Sequence, residues 1–300
     1  MLLLHRLGSF SPSFFYKAGV DIDHSFLLGK TLLVSPMNER YARDNYKGRV
    51  EVIEKLSKFL EKRRVKKLEM ELSTLPSSIY LKLRKRFRIS DASKRLLKER
   101  ELKSDEEARK IANAAKIAQE ALSEIDVCKF RTEKELENAV KRAIEEKGAE
   151  VSFIIVASGA STAFPHYKAR DVPLKDPVVV DVGARVGYYT SDITETFTKR
   201  AEVKEIRKKL KEMVGMAEGA RTTEGLNAFL KRAYKRDKLP LPPHLFGHGI
   251  GLDVHELPSF RRNTTLKGKA FAVEPAVYLK DYGVRYERNF IGKGKRNIML

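Results

Sequence analysis

The chain has 300 residues, of which 42% are hydrophobic and 33% charged, enough for one large domain or two ordinary ones with a sizeable core. No run of 18 apolar residues occurs, which excludes a membrane-spanning helix, and the opening MLLLHRLGSF is too short and interrupted for a signal peptide. The single cysteine, Cys128, excludes an intramolecular disulfide and is expected to be a small buried residue. We therefore expect a soluble cytoplasmic protein.

The net charge of +20 includes two basic clusters, at residues 62–67 and 82–88, that could bind phosphate groups. Lys, Arg and Glu are abundant, Trp is absent and Gln119 is the single glutamine, a composition typical of a charged thermophile surface. We therefore do not predict nucleic-acid binding as the main function. The excess of Lys and Arg is compatible with weak, non-specific binding of polyanions.

The first hundred residues are predicted to form a small α/β domain. Short apolar runs separated by Gly19 and Gly29 predict strands within residues 12–35. Apolar residues spaced three and four positions apart predict an amphipathic helix over residues 49–64. Residues 65–90 are typical of a strand, a turn and a basic helix.

After that point, helices and antiparallel hairpins occur in blocks, which predicts an α+β domain and not a doubly wound sheet. The predicted domains are residues 1–98 and 99–300. Ser104 and Glu107 form a capping box that begins a long helix ending near Glu124. The further predicted elements are a helix begun by Thr132 with Glu135 and closed by Gly148, strands at 151–157, 177–182 and 188–198, helices near 203–218 and 223–236, and a strand-rich remainder at 245–292.

Two aspartates are predicted to face each other across a hairpin in the segment PVVVDVGARVGYYTSDITETF. Gly187 can supply the positive φ of a tight turn, and a loop of Val186 and Gly187 makes paired residue numbers sum to 373. Asp181 and Asp192 satisfy that sum, which would place their Cβ atoms about 4.5–5.5 Å apart. Because carboxylates so close repel each other, a cation between them is expected.

A second pair of carboxylates is predicted in AFAVEPAVYLKDYGVRYERNFIG. With Lys280 and Asp281 as the loop, paired residue numbers sum to 561, and Glu274 and Glu287 satisfy this sum. A lone glutamate inside FAVEP would be costly to bury. One such pair could be a coincidence of register, whereas two pairs in one chain favour a shared function.

The segment HLFGHGIGLDVHELP lies between these hairpins, and its three glycines allow a close, irregular backbone. His248 and His255 can therefore point into a site. The segment lacks the spacing of a phosphate-binding loop, and His255 has no partner histidine at the HExxH spacing. No GxSxG elbow occurs, although the sequence alone leaves a Ser-His-Asp triad open.

Four carboxylates and one imidazole form an oxygen-rich set of metal ligands. Such a set suits two divalent ions such as Mn²⁺, Co²⁺, Fe²⁺ or Zn²⁺ about 3.5–4 Å apart. The alternative is two surface hairpins with solvated acids and a core histidine. The proposed ligands are Asp181, Asp192, His248, Glu274 and Glu287.

In their order, these segments resemble the sequence blocks of the pita-bread metallopeptidases, peptidase family M24, and among them the archaeal and bacterial Xaa-Pro dipeptidases (prolidases) and Xaa-Pro aminopeptidases. The first hairpin resembles the paired-aspartate block, FGHGIGLDVHELP the histidine block, and FAVEPAVYL and GVRYERNFIG the two glutamate blocks. SGASTAFPHY resembles a segment that carries another active-site histidine, here His166. The resemblance covers nearly the whole chain and implies an α+β pita-bread catalytic domain after a small α/β N-terminal domain.

The resemblance also implies a role for each matching position. A metal-bridging hydroxide would attack the scissile carbonyl, and Glu274 would shuttle the proton as general base and then acid. His166 and His255 would contact the substrate carbonyl and the developing oxyanion. Arg285 would lie near the glutamates without binding the metal ions. The metal ligands would be Asp181, His248, Glu274 and the bridging carboxylates Asp192 and Glu287.

The implied activity is hydrolysis of short peptides with proline at the second position, by a dipeptidase or an aminopeptidase that forms a homodimer. One alternative is methionine aminopeptidase-like activity, although such enzymes generally lack a separate N-terminal domain of this kind. The other is a non-catalytic member that binds nucleic acid or protein, which only the net charge favours.

Two positions depart from the family pattern. Glu195 stands where the family often has arginine, and Arg288 stands where aspartate or asparagine is usual. If they are neighbours across the sheet, they form a charge-swapped ion pair, and exchanging both should retain more activity than exchanging one. The N-terminal domain is also short and lacks the usual first helix, which leaves peptide length and dimer formation open.

Overall fold

The computed structural model describes residues 1–300, and their contacts divide the chain into two compact units, Met1–Arg100 and Glu101–Leu300. None of the helices is both long enough and apolar enough to span a bilayer.

The first unit contains a four-stranded sheet of order β1–β2–β3–β4 and a separate pair of strands, β5 and β6. Only the pairs β3–β4 and β5–β6 are parallel. The elements are β1 (Leu3–Arg6), α1 (Pro12–Ala18), β2 (Ser25–Leu28), β3 (Thr31–Val34), α2 (Glu39–Asn45), β4 (Arg49–Val52), α3 (Leu56–Lys62), β5 (Lys67–Met70), α4 (Ser77–Leu83), β6 (Arg88–Asp91) and α5 (Ser93–Glu99).

The prediction of strands within residues 12–35 is wrong for the beginning of that range, because α1 is a helix. The Ser11 side chain accepts a hydrogen bond from the N–H of Phe14, and Pro12 occupies the first turn. Gly19 ends the helix in the left-handed region, with a φ of 70°. These cap residues were the signal for a short helix between two strands.

The predicted helix over residues 49–64 is also wrong in its first part. Residues 49–52 form the edge strand β4 beside β3, and the helix begins only at Leu56. The segment VEVIEKL carries both an alternating pattern and a helical one. The parallel pairing of Val50 with Leu32 determines the outcome, and sequence periodicity does not reveal that tertiary contact.

The second unit contains two main sheets. The first has the order β10–β8–β7, with β9 extending the hairpin of β8, and α6 and α7 pack on it. The second has the order β12–β11–β13–β16–β17, and it shares a core with α8 and α9. The elements are α6 (Asp105–Glu124), α7 (Glu133–Glu146), β7 (Glu150–Ser158), β8 (Val178–Val186), β9 (Tyr189–Thr190), β10 (Ile193–Phe197), α8 (Ala201–Gly215), α9 (Thr223–Arg236), β11 (Gly247–Gly249), β12 (Glu256–Ser259), β13 (Ala270–Val273), β14 (Ala276–Tyr278), β15 (Gly283–Arg285), β16 (Arg288–Lys293) and β17 (Arg296–Met299).

Local capping in this unit follows the sequence prediction. The Ser104 side chain accepts from the N–H of Glu107, whose carboxylate accepts from the N–H of Ser104 at 2.7 Å. Cys128, in contrast, is exposed and not buried. It lies in a one-turn 3₁₀ helix after α6, where Asp126 accepts a hydrogen bond from its backbone N–H. That polar connection places the thiol at the surface.

Candidate metal centre

The first predicted hairpin forms, but its register is shifted by two residues. Val186 pairs with Tyr189, so Gly187 and Tyr188 make the loop, with φ values of 53° and 71°. A two-residue turn of this kind needs positive φ at both positions, which a β-branched valine resists more strongly than a tyrosine. Asp181 therefore lies opposite Thr194 and not opposite its predicted partner. A shift of two keeps the side chains on the same face of the sheet.

The second predicted hairpin has the predicted register. Ala276 pairs with Arg285 across β14 and β15, and the pairs between β13 and β16 keep the same sum of residue numbers. The loop is Lys280 and Asp281, because the N–H of Leu279 donates to the carbonyl of Tyr282. Glu274 directly follows β13 and Glu287 directly precedes β16, so the break between the strand pairs holds both carboxylates.

The structure brings the five predicted ligands together at one place in the second unit. Ligand atoms of Asp181, Asp192 and Glu287 all lie within 4.8 Å of one another, as do those of His248, Glu274 and Glu287. The Nε2 atom of His248 lies 3.3 Å from Asp192 Oδ2, 3.8 Å from Glu287 Oε1 and 3.9 Å from Glu274 Oε1. The strands that carry the two carboxylate pairs meet here, where the N–H of Glu287 donates to the carbonyl of Thr194.

Three buried carboxylate oxygens at this point have no hydrogen-bond partner: Asp181 Oδ1, Asp192 Oδ1 and Glu287 Oε1. Burying such acceptors without a donor or a cation is expensive. Burial raises the pKa of Asp192 well above its usual range, and the neighbouring Glu287 and Asp181 raise it further. Burial likewise raises the pKa of Glu274, with Glu287 adding to the effect. A set of hard oxygen donors with unsatisfied lone pairs fits divalent cations.

The imidazole of His248 is oriented for a ligand role. Its Nδ1 lies 3.1 Å from the carbonyl oxygen of Gly249, which can only accept a hydrogen bond. Nδ1 therefore carries the proton, and Nε2 is left facing the carboxylates.

Hydrogen bonds from residues that are not proposed ligands fix the carboxylates in place. Arg285 donates to Asp181 Oδ2 at 2.6 Å and to the Thr194 hydroxyl at 3.1 Å, and that hydroxyl donates to Glu287 Oε2 at 2.8 Å. Asn289, fully buried, accepts from the N–H of Asp192 and donates to its carbonyl, at 2.9 and 2.8 Å. Arg285 was predicted to lie near the glutamates; its direct carboxylate partner is Asp181, and it reaches Glu287 through Thr194. The sequence pattern gave no signal for Thr194 or Asn289.

Both further histidines, His166 and His255, are exposed. The ring of His255 stands edge-on to that of His248, with centroids 4.2 Å apart, and burial lowers the pKa of His255 to about 4, helped by His248 and His166. The next residue, Glu256, forms a buried ion pair with Lys103 at 2.6 Å, which holds this segment. His166 is exposed, lies after a short 3₁₀ helix, and is outside the group of potential metal ligands.

The sequence analysis also missed two other residues of this site, His244 and Tyr278. His244 Nδ1 lies 3.5 Å from Glu274 Oε2, and its Nε2 lies 3.1 Å from the hydroxyl of Tyr278. That hydroxyl also accepts from Arg285 at 3.0 Å. The available signal was the spacing of His244 four positions before His248, which becomes meaningful only once Glu274 is placed beside both.

The departures from the family pattern, Glu195 and Arg288, are neighbours that form a largely buried ion pair. Arg288 also donates to the backbone carbonyl of Glu287 at 2.7 Å, which connects the pair to the backbone of a cluster residue. Glu195 has a second partner, Arg207, at 2.6 Å. A reversed pair would therefore place an arginine at position 195 against Arg207.

Exchanging the charges of Glu195 and Arg288 should therefore restore only part of the stability and activity that a single substitution removes. Breaking a buried pair from one side costs about 3–5 kcal/mol, so Arg288→Asp alone should strongly lower the unfolding free energy and activity. Glu195→Arg with Arg288→Asp should recover part of both, and adding Arg207→Gln should recover more, because it removes the new repulsion. Chemical unfolding and peptide hydrolysis measure both effects, and purely additive losses would show that the pair is not coupled.

The segment that carries His166 is held by a buried carboxylate at the start of α7. Glu133 is fully buried and accepts three hydrogen bonds: from the N–H and hydroxyl of Ser158 at 3.0 and 2.8 Å, and from the N–H of Arg170 at 3.1 Å. Ser158 and Arg170 flank the segment on both sides. Glu133 therefore fixes both ends of the chain around His166.

Glu133→Gln should lower kcat by about 10- to 100-fold, the usual range for a residue that orients an active-site group. The amide nitrogen cannot accept, so one of the three donors loses its partner. Glu135→Gln, an exposed change on the same helix, is the matched control. In a His166→Ala background the Glu133 change should have little further effect, and an undiminished effect there would separate Glu133 from His166.

The comparisons with known proteins agree with this geometry. The model of metallopeptidase family M24 matches residues 109–291, so the chain belongs to this family of metal-dependent peptidases. A Xaa-Pro dipeptidase of Pyrococcus horikoshii is 30% identical, over 92% of this chain and 86% of the relative. An uncharacterized peptidase of Methanocaldococcus jannaschii is 35% identical, over 68% of this chain and 64% of the relative, slightly under two thirds of its length.

The fold is also that of a solved X-Pro aminopeptidase from Thermotoga maritima, with a TM-score of 0.88 and 26% identity, covering 99% of this chain and 94% of that one. The family and the pita-bread fold with a small N-terminal domain, inferred from sequence blocks, are thereby confirmed.

Proposed function

We propose that this chain is a dinuclear-metal exopeptidase that hydrolyses Xaa-Pro bonds, as a dipeptidase or an aminopeptidase. The observation that carries the proposal is that the five ligand residues come together and that three of their buried carboxylate oxygens have no hydrogen-bond partner. The residues that would hold two divalent ions, Mn²⁺ or Co²⁺ first, are Asp181, Asp192, His248, Glu274 and Glu287.

When bound, two such ions supply Lewis-acid polarisation of the scissile carbonyl and activation of a water. The chain's own residues supply the proton transfers. Glu274 is suited to them because burial and the neighbouring Glu287 raise its pKa. Its Oε2 lies 3.5 Å from Nδ1 of His244, whose Nε2 lies 3.1 Å from the hydroxyl of Tyr278.

The exposed histidines would bind the substrate. With a pKa lowered to about 4, His255 is neutral near pH 7 and offers a hydrogen bond without a net charge. His166 would approach from the loop fixed by Glu133, and together the two imidazoles could stabilise the developing oxyanion.

Preference for proline rests on the similarity to proteins described as Xaa-Pro dipeptidase and X-Pro aminopeptidase.

The protein should therefore be tested, loaded with Mn²⁺ or Co²⁺, on Xaa-Pro dipeptides, Xaa-Pro tripeptides and Met-initiated peptides, with alanine-for-proline peptides as controls. Selective cleavage of the Xaa-Pro bond is expected. Selective cleavage after Met would favour a methionine aminopeptidase-like activity. Silence on all peptides by a metal-loaded, folded chain would favour a non-catalytic binding protein. Size-exclusion chromatography tests the accompanying proposal of a homodimer.

A further inference from the structure

The two basic clusters of the sequence lie at one edge of the parallel pair β5–β6. In each case a short helix ends, a basic loop follows, and the strand begins, so parallel pairing places both loops at the same edge. Lys67 lies opposite Arg88, and the N–H of Arg88 donates to the carbonyl of Lys66 at 2.9 Å. We call this surface, residues 62–67 and 82–88, the basic edge.

All ten cations of the basic edge are exposed, and neither segment contains an acidic residue. Arg63 pairs with Glu51 and Arg86 pairs with Glu61. The remaining eight have no carboxylate partner within 4.0 Å; they are Lys62, Arg64, Lys66, Lys67, Lys82, Arg84, Lys85 and Arg88.

The basic edge differs from the charged helices of the second unit. On α6 and α7, lysines form ion pairs with carboxylates one turn away, as in Lys110 with Glu106 and Lys141 with Glu145. Residues 1–100 contain 23 Lys and Arg against 11 Asp and Glu, which gives +12 of the net +20. On the charged surface of a thermophile protein, anions balance the cations. The excess of cations in residues 1–100 therefore favours an external anionic partner.

One cation of the basic edge occupies a position that normally selects glycine. Arg64 has a φ of 54°, after the end of α3, where its N–H donates to the carbonyl of Glu61 and that of Val65 donates to Leu60. Such a helix end strongly favours glycine, since the left-handed conformation is strained for other residues. Lys238 has the same φ and the same pattern of bonds after α9. It therefore provides a matched comparison.

We propose that the basic edge binds the phosphate backbone of a nucleic acid, without reading its bases. This function is independent of the proposed peptidase activity. Eight unpaired cations on the two helix ends, the two loops and the first residues of the two strands can follow successive phosphates, and each contact releases bound counterions. An anionic membrane is a weaker fit, because Leu81 is the single large exposed hydrophobic residue in residues 62–88, and binding at a bilayer interface needs an inserted apolar face.

The test is fluorescence anisotropy of the full chain with 20-base-pair DNA and RNA duplexes of unrelated sequence, from 50 to 200 mM salt. The unmodified chain should bind both, and affinity should fall steeply with salt. The slope of log K against log salt is negative, and its magnitude should decrease by about 0.9 for every phosphate that a variant no longer binds. The edge variant carries Arg64→Gly, Lys66→Gln, Lys67→Gln, Lys85→Gln and Arg88→Gln, and should bind at least 10-fold more weakly at 50 mM salt.

The control variant removes the same charge from exposed positions of the second unit and contains the matched helix-end change. Its substitutions are Lys204→Gln, Lys208→Gln, Lys231→Gln, Lys235→Gln and Lys238→Gly. Both variants should keep or raise the Tm, since each relieves one strained position. An equal loss of affinity in the control would overturn the proposal in favour of general charge. So would no duplex binding by the unmodified chain, or binding to phosphatidylserine vesicles alone.

Discussion

Replacing Asp192 with asparagine should lower hydrolysis of Xaa-Pro peptides by at least about 1000-fold and prevent loading of two ions. The carboxylate lies within reach of His248, Asp181 and Glu287, at the centre of the cluster. Metal ions contribute several kcal/mol of transition-state stabilisation, and each 1.36 kcal/mol is tenfold in rate. The hydrogen bonds between Asp192 and the Asn289 side chain use the backbone of Asp192 and not its carboxylate, so the fold should persist.

The matched control for this substitution is Asp281→Asn, the same chemical change in an exposed hairpin loop. It should leave turnover and ion content unchanged. Metal content measured after gel filtration and peptide hydrolysis measured at saturating Mn²⁺ separate the two variants. A fully active Asp192→Asn protein would show that the ligand assignment is wrong.

Removing the metal ions should make stability fall with rising pH. Burial and mutual repulsion raise the pKa of Asp192, Glu274 and Glu287 in the folded chain. Carboxyl groups with raised folded pKa values contribute stability below their unfolded pKa, about 4, and this contribution is lost as the pH rises through the folded values. The metal-free chain should therefore lose stability between pH 5 and pH 7.5 relative to a chain with fewer such acids.

Glu287→Gln is the reference that isolates this effect, because other carboxylates of the chain also titrate. In chelator, the Tm of the unmodified chain minus that of Glu287→Gln should decrease from pH 5 to pH 7.5. Free Mn²⁺ at 100 times its Kd adds about 2.7 kcal/mol per ion, so the unmodified chain should gain roughly 5–10 °C at pH 7.5. A difference in Tm that does not change with pH would contradict the repulsion inferred from the cluster.

The sequence predicted the second hairpin correctly because its loop, Lys280 and Asp281, follows from the flanking strand pattern. The first hairpin shifted by two residues because its turn needs a positive φ at both loop positions, which Tyr188 adopts and the β-branched Val186 resists. Its carboxylates nevertheless stayed together, since a shift of two preserves the face of a strand. The prediction of proximity was therefore less sensitive to error than the prediction of register.

The positions of other residues could not be predicted from the local sequence pattern. His244 and Asn289 acquire their positions only when separate sheets meet, and Glu133 is distant in sequence from the His166 segment that it fixes. In the first unit, β4 is a short segment whose apolar spacing suits either structure, whereas α1 carries local cap signals at Ser11 and Gly19. Long elements with clear caps, such as α6 from Ser104, were predicted closely because their local and tertiary preferences agree.

The most direct test of the central proposal is a crystal structure of the chain soaked with Mn²⁺, with anomalous difference maps recorded for the metal. We expect two peaks per chain, both surrounded by Asp181, Asp192, His248, Glu274 and Glu287, and the loss of both in Asp192→Asn. An ordered, unchanged cluster without any peak at saturating Mn²⁺, or peaks only elsewhere on the chain, would contradict the proposal.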